Sequence, residues 1–159
     1  MNIRPAGNRD SPVVRKLSAT VDSDWTSWWR RHGKLGDETI RRAIRDRCLL
    51  VACEGNKVVG HMLFIPMFNI IYAAEAVVAK PYRQRGIAKA LNRMMFKIGY
   101  QRGYTRAISD CWFGYKASAA LQKSVGFVHS GKMRGIWGKH DCKNELYNMN
   151  RREITVKDA

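Results

Sequence analysis

The feature that most constrains this fold is a strand, a basic glycine turn and a helix that follow one another directly. Residues 69–80, NIIYAAEAVVAK, are apolar and β-branched at many positions, which is typical of a buried strand, and Pro81 ends the run. From Ile87 onward, apolar residues recur at steps of three and four, which predicts a helix with one apolar stripe. The turn YRQRG, at residues 82–86, joins these two elements.

This turn has the chemistry of a pyrophosphate-binding site. The first N–H groups of a helix have no partner within the helix, and the helix dipole favours an anion there. Gly86 allows a close backbone approach, Ala88 leaves room beside it, and Arg83 and Arg85 add positive charge. No Lys-Ser or Lys-Thr pair follows, as a P-loop needs, and a dinucleotide fold would need a third glycine.

Arg83, Gly86 and Ala88 fit the pattern Arg/Gln-x-x-Gly-x-Gly/Ala, and in this the chain resembles the GNAT superfamily of acyl-CoA-dependent N-acetyltransferases. A second segment, YKASAALQKSVGFVHSG at residues 115–131, resembles the family's later helix, which ends in Gly-Phe and leads into a strand. The two motifs and their spacing cover roughly residues 58–131.

The order of elements along the chain also matches the family. It is strand, two helices, three strands, helix, strand, helix and two strands. The expected fold is α/β (α+β), with a mixed, mostly antiparallel sheet flanked by helices. The length and the lack of a linker, repeat or low-complexity tract predict a single GNAT-like domain over residues 1–159.

The resemblance implies that acetyl-CoA is the cosubstrate. Its phosphates would bind at the basic turn, and the amides of its pantetheine arm would pair with the edge of the preceding strand. The residues expected to bind it are therefore Val77, Val78, Ala79, Arg83, Gln84, Arg85, Gly86, Ile87, Ala88 and Lys89.

The resemblance further implies that an amine attacks the thioester directly, which requires a base. Glu75 is the only charged residue between Asn69 and Ala79, and a buried carboxylate is costly unless it is paired or protonated. It is the first candidate for a general base, acting directly or through water. Alternatively, Glu75 faces solvent at a strand bulge or pairs with an arginine. Asp110, at the end of the strand TRAISD, is the rival base.

The candidate acids follow from a departure from the family pattern. Many GNAT members carry tyrosine four residues before the glycine that ends the later helix, and this chain has Gln122. Glutamine cannot protonate a thiolate. Ser118 lies one turn earlier and Tyr115 nearly two turns earlier on the same helix face, so either of them, or solvent, would supply the proton.

The net charge of +16 exceeds what bound CoA would offset, and it suggests a polyanionic partner, an acidic substrate or solubility alone. Trp25, Trp28 and Trp29 share one helix face and either pack on the sheet or line a substrate cleft. Three functions stay open. The first is an acetyltransferase acting on a primary amine. The second is an enzyme of this fold that modifies nucleic acid, with these tryptophans and CWFGYK (residues 111–116) around a base. The third is a non-catalytic module that binds CoA or nucleic acid.

The apolar segments and the cysteine and histidine spacing bear on localisation and metal binding. The first residues contain no apolar signal region, and the apolar stretches are too short or too interrupted to span a bilayer, so a cytoplasmic protein is expected. Four cysteines and four histidines show no zinc-ligand spacing, which predicts reduced thiols and no metal. The acceptor and the oligomeric state stay open at this level.

Overall fold

The computed structural model describes residues 1–20, 36–112, 115–134 and 146–159. The strands in this part are β1 (Asn2–Pro5), β2 (Leu49–Glu54), β3 (Lys57–Met67), β4 (Ile70–Val78), β5 (Arg106–Trp112), β6 (Val128–Arg134) and β7 (Leu146–Glu153). The α-helices are α1 (Ser11–Ser18), α2 (Asp37–Arg45), α3 (Ile87–Gln101) and α4 (Lys116–Ser124). Trp25, Trp28 and Trp29 lie outside the described residues, as does the centre of CWFGYK.

The strands form one seven-stranded sheet in the order β1-β2-β3-β4-β5-β7-β6. The pair β4–β5 is parallel, and the other neighbouring pairs are antiparallel. The predicted α/β class, with a mixed and mostly antiparallel sheet flanked by helices, is confirmed.

Helices cover both faces of the sheet. On one face α3 buries its predicted stripe, including Ile87, Leu91 and Met95, against Phe64 and Ile71 of the sheet. On the other face, residues of α1 and α2 such as Val14 and Ile40 pack on Leu49, Val51 and Leu63. Among the described residues, no helix is long and apolar enough to cross a membrane.

Strand β4 has two irregularities, a bulge on one edge and an early end to its pairing on the other. Leu63 lies opposite Glu75 and Phe64 lies opposite Ala73, so Ala74 has no partner and forms a bulge. On its other edge, β4 pairs with β5 only from Ile70 to Tyr72. Beyond Tyr72 the two strands part, while β5 stays paired with β7 as far as Trp112. The sheet therefore opens between β4 and β5.

Candidate active site

The opening between β4 and β5 is a cleft of about 650 Å³. The outer half of β4 forms one wall, and the end of β5 together with α4 forms the other. The turn that leads into α3 closes one end. A cleft between two parted strands exposes backbone N–H and C=O groups that a regular sheet would pair. It therefore suits an extended ligand that carries amides.

The N-terminus of α3 lies at this cleft and has a geometry that suits an anion. Gly86 is the N-cap of α3, with a φ of 78° in the left-handed region that glycine adopts without strain. A Cβ atom at Gly86 would meet no protein atom within 4 Å, so the space in front of the helix is open to a ligand. The first N–H groups of the 15-residue helix start at Ile87 and lack acceptors within the helix. This geometry fits a phosphate or diphosphate group.

The structure brings most of the predicted phosphate-binding residues to the cleft, but it turns Arg85 away. The lining residues from this turn are Arg83, Gln84, Gly86, Ile87, Ala88 and Lys89. Arg83 donates from Nε to the carbonyl of Val78 at 3.0 Å, which ties the turn to the end of β4. Arg85 instead lies 3.7 Å from Glu54 and stacks on the ring of Tyr82. Its charge contributes to the site only from a distance.

The predicted strand edge is present, with a different set of free backbone groups. Ala79 lies outside the cleft lining and donates its N–H to the carbonyl of Val59 at 2.9 Å. Residues along an antiparallel pair alternate in direction, so Val77, which pairs with His61, also directs its backbone groups toward β3. The backbone groups of Ala76 and Val78 face the parted side. The backbone groups of Ala76 and the N–H of Val78, and not the groups of Val77 and Ala79, are placed to bond a ligand's amides, while the carbonyl of Val78 already accepts from Arg83.

Glu75 lies on the cleft wall and is held by two side chains from other elements. It is 9% exposed, next to the bulge at Ala74. Ser18, the last residue of α1, donates its hydroxyl to Glu75 Oε1. His61 of β3 places Nε2 at 2.6 Å from the same oxygen. Glu75 therefore does not face solvent and pairs with none of the described arginines, in contrast to the alternative interpretations of the sequence.

The surroundings of His61 identify its tautomer. The ring is fully buried, and Nδ1 has no hydrogen-bond partner among the described residues. A hydrogen on Nδ1 would be a buried donor without an acceptor, whereas a bare lone pair there costs less. The hydrogen therefore belongs on Nε2, and His61 donates to Glu75. Because both donors bind Oε1, Oε2 receives no hydrogen bond from a described side chain.

Asp110 lies on the opposite wall and accepts a hydrogen bond from the phenol of Tyr72. Burial, with the charge and hydrogen bond of Asp110, raises the pKa of Tyr72 well above its usual value. Tyr72 therefore stays protonated at neutral pH and acts as a donor to this carboxylate. The pair spans the point where β4 and β5 separate, because Tyr72 is the last residue of β4 that pairs with β5.

Gln122 is one of the residues that line the cleft, and its side chain is held by hydrogen bonds to neighbouring elements. Its buried amide donates to the hydroxyl of Ser109 at 3.0 Å and to the carbonyl of Asp110 at 2.8 Å. It also accepts from the side chain of Asn150. Ser118 and Tyr115, the predicted acids, both line the cleft. Tyr115 is the N-cap of α4, and Ser118 lies in its first turn.

Two further lining residues had no signal in the sequence. Asn92 of α3 is 4% exposed and donates to the carbonyl of Ala88 at 2.9 Å. Cys111 is buried at the end of β5, and burial raises the pKa of its thiol. A thiol that stays protonated is a poor nucleophile, so Cys111 does not favour a covalent route. In the described ranges, no group of three or more His, Cys, Asp or Glu residues could hold a metal ion.

A split sheet with a free helix N-terminus and a buried carboxylate on its wall fits an acyltransferase that takes its acyl group from an extended, anionic carrier. The model of the acetyltransferase (GNAT) family matches residues 17–127. The chain therefore belongs to the GNAT family of acetyltransferases. No curated protein sequence matches this chain.

Solved structures share the fold at low sequence identity. The ribosomal-protein-alanine N-acetyltransferase of Brucella melitensis is 21% identical with a TM-score of 0.76, and the match covers 96% of this chain and 99% of that one. The ribosomal-protein-S18-alanine N-acetyltransferase of Escherichia coli is 15% identical with a TM-score of 0.72, covering 98% and 94%. The structure of yncA from Salmonella typhimurium, solved with its cofactor acetyl-CoA, is 15% identical with a TM-score of 0.78, covering 98% and 94%.

Proposed function

We propose that this chain transfers the acetyl group of acetyl-CoA to a primary amine by direct attack, with Glu75 as the general base. The observation that carries the proposal is the arrangement at Glu75. A buried carboxylate on the cleft wall has one oxygen bound by Ser18 and His61, and its other oxygen accepts no hydrogen bond from a described side chain. Such a group is rigidly held and still has an acceptor for a proton.

Different residues along the cleft would bind different parts of acetyl-CoA. The N-terminus of α3 with Arg83 and Lys89 would bind the phosphates of acetyl-CoA. The backbone of Ala76 and the N–H of Val78 would pair with the amides of the pantetheine arm. With these contacts, the thioester would lie farther along the cleft, toward Glu75 and the start of α4.

The proposed step balances without a further reactant. The amine nitrogen forms a bond to the thioester carbonyl carbon, and the bond from that carbon to sulfur breaks. The proton of the amine passes to Glu75 Oε2, directly or through a water. The CoA thiolate leaves and takes a proton from Tyr115, Ser118 or solvent. The raised pKa of the Cys111 thiol supports this direct route, because Cys111 would otherwise be a candidate to carry the acetyl group.

The test compares Glu75→Gln with two other carboxylate substitutions. Glutamine keeps an oxygen for Ser18 and His61, so the packing should survive while the ionisable oxygen is lost. We expect kcat to fall by about a hundredfold or more with the affinity for acetyl-CoA nearly unchanged. The loss should shrink at high pH, where the amine is already uncharged. Glu38→Gln, on the exposed surface of α2, is the matched control and should change neither quantity.

Acceptors are found by incubating the protein with acetyl-CoA and pools of peptides, polyamines and DNA, followed by mass spectrometry. Acetylation of an amine in the peptide or polyamine pool supports the proposal. Modification confined to DNA would favour a nucleic-acid-modifying enzyme, and acetyl-CoA binding without any product would favour a non-catalytic module. If Asp110→Asn shows the expected profile and Glu75→Gln does not, Asp110 is the base.

A further inference from the structure

Some helices of this protein contain basic residues with no acidic residues beside them in the chain. Along the sequence, the net charge of +16 is spread over the whole chain. The segment from Ala76 to Ser109 nevertheless contains no acidic residue. Its eight basic residues are Lys80, Arg83, Arg85, Lys89, Arg93, Lys97, Arg102 and Arg106. This segment includes all of α3, and α4 likewise contains lysines and no acidic residue.

The ion pairs of the described residues fall mostly outside α3 and α4. On and beside α1 and α2, basic residues pair with nearby acids, such as Arg15 with Asp37 at 2.7 Å and Arg41 with Glu38 at 3.3 Å. No described carboxylate pairs with the basic residues on the outer side of α3 and α4. We call this surface the α3–α4 basic face, and it consists of the exposed residues Arg93, Lys97, Lys116 and Lys123.

The basic residues of α3 form a row. Lys89, Arg93 and Lys97 are each four residues apart, so they project from one side of the helix at steps of about 6 Å. The row starts in the first turn of α3, beside the proposed phosphate-binding turn, and Arg93 and Lys97 lie one and two turns farther along. Both side chains are exposed, and neither belongs to the residues that line the cleft. Lys116 and Lys123 are exposed on α4, which contacts α3.

The chemistry of this face selects the kind of partner. The apolar residues of α3 point into the core, and the exposed large apolar side chains on or beside α3 and α4 are Tyr100 and Tyr115. An amphipathic membrane anchor needs exposed apolar bulk, and a stable protein interface needs an apolar centre. Binding to a phosphate backbone needs only clustered Lys and Arg, because it is driven by the release of counterions.

We propose that the α3–α4 basic face binds the phosphate backbone of nucleic acid, independently of sequence. Contacts of Arg93 and Lys97 to phosphates fix the polymer along α3. The polymer then runs toward the turn at Gly86, so the α3–α4 basic face and the acetyl-CoA site adjoin. This surface is independent of the proposed transfer reaction and stands if Glu75 is not the base.

The test measures the binding of a fluorescein-labelled DNA duplex by anisotropy between about 50 mM and about 200 mM salt. The variant Arg93→Gln/Lys97→Gln removes two basic residues of the face. The control Arg41→Gln/Arg42→Gln removes two arginines of α2 that pair with Glu38 and Asp46. Both variants lower the net charge by two, so they separate the face from the total charge.

We expect Arg93→Gln/Lys97→Gln to reduce the steepness of the plot of log affinity against log salt by about 2, since each phosphate contact contributes about 0.9. Affinity for the duplex should fall by about tenfold, while affinity for acetyl-CoA stays unchanged. The control should change the slope much less. Equal losses in both variants would overturn the proposal in favour of total charge. Failure of the native protein to bind the duplex at low salt, or binding only to phosphatidylserine vesicles in a parallel titration, would also overturn it.

Discussion

Replacing Gln122 with leucine should destabilise the protein because the glutamine amide joins three elements. Its Nε2 donates at 3.0 Å to Ser109 and at 2.8 Å to the carbonyl of Asp110, both on β5, and its Oε1 accepts from Asn150 on β7. Leucine has a similar volume but can make none of these bonds. The position is 7% exposed, so water cannot fully replace the lost partners.

The expected cost follows from these contacts. A typical hydrogen bond contributes about 1 kcal/mol net, and a buried group left without its partner costs about 1–3 kcal/mol. Asn150 is half-buried and recovers part of its loss from water, while the apolar side chain of leucine offsets another part. The sum is about 3 kcal/mol. For a protein of this length, 1 kcal/mol lowers the Tm by about 2–4 °C, which predicts a fall of about 6–12 °C.

Thermal unfolding followed by circular dichroism measures this shift. Gln101→Leu, at the exposed end of α3, is the control and should change the Tm little. A double-mutant cycle with Asn150→Ala should show a coupling energy of about 1 kcal/mol with Gln122. A Tm of Gln122→Leu within about 1 °C of the native value, or zero coupling, would refute the structural role. Gln122 would then be better explained as a contact to the acceptor.

Three further outcomes are expected. Gly86→Asp should weaken acetyl-CoA binding at least about tenfold in calorimetry, which is about 1.4 kcal/mol, while uncharged Gly86→Asn should weaken it less; equal affinities would remove the phosphate site from this turn. Tyr115→Phe and Ser118→Ala should each lower turnover only about tenfold, because a thiolate with a pKa of about 8.5 leaves readily, and a hundredfold loss in either would identify an essential acid. The hydrogen bond from Arg4 lowers the pKa of Asp10 despite its burial, so its stabilisation is present above about pH 4 and is lost as the pH falls through the lower, folded-state pKa. The Tm difference between the native protein and Asp10→Asn should therefore be full at neutral pH and shrink in acid, and a constant difference would contradict this.

The sequence predicted the glycine turn and helix start that are proposed to bind phosphates, because the determinants of this structure are local. The apolar strand, Gly86 at the N-cap and the helical stripe all lie within one short segment, and each follows from backbone and side-chain rules that need no distant contact. The same holds for the order of strands and helices. Even here the direction of one side chain depended on tertiary structure. Arg85 pairs with Glu54, which lies 31 positions earlier in the chain, and therefore points away from the cleft.

The position of Glu75, the proposed base, depends on the register of β4. Residues alternate between the two faces of a strand, so the bulge at Ala74 determines which face receives Glu75. The run AAEAV contains no local signal for such a bulge. The register places Glu75 against Ser18 of α1 and His61 of β3, which lie 57 and 14 positions away in the chain.

The opening of the sheet and the setting of Gln122 also arose only in three dimensions. The β4–β5 pairing ends at Tyr72, while β5 stays paired with β7 as far as Trp112, and both limits are set by contacts between strands that are distant in the chain. From the sequence, the only information on Gln122 was that many GNAT members carry tyrosine at this position. Its network with Ser109, Asp110 and Asn150 requires a helix and two strands to meet. Short-range rules therefore determined the turn proposed to bind the phosphates, and the packing of distant segments determined which carboxylate lies on the cleft wall.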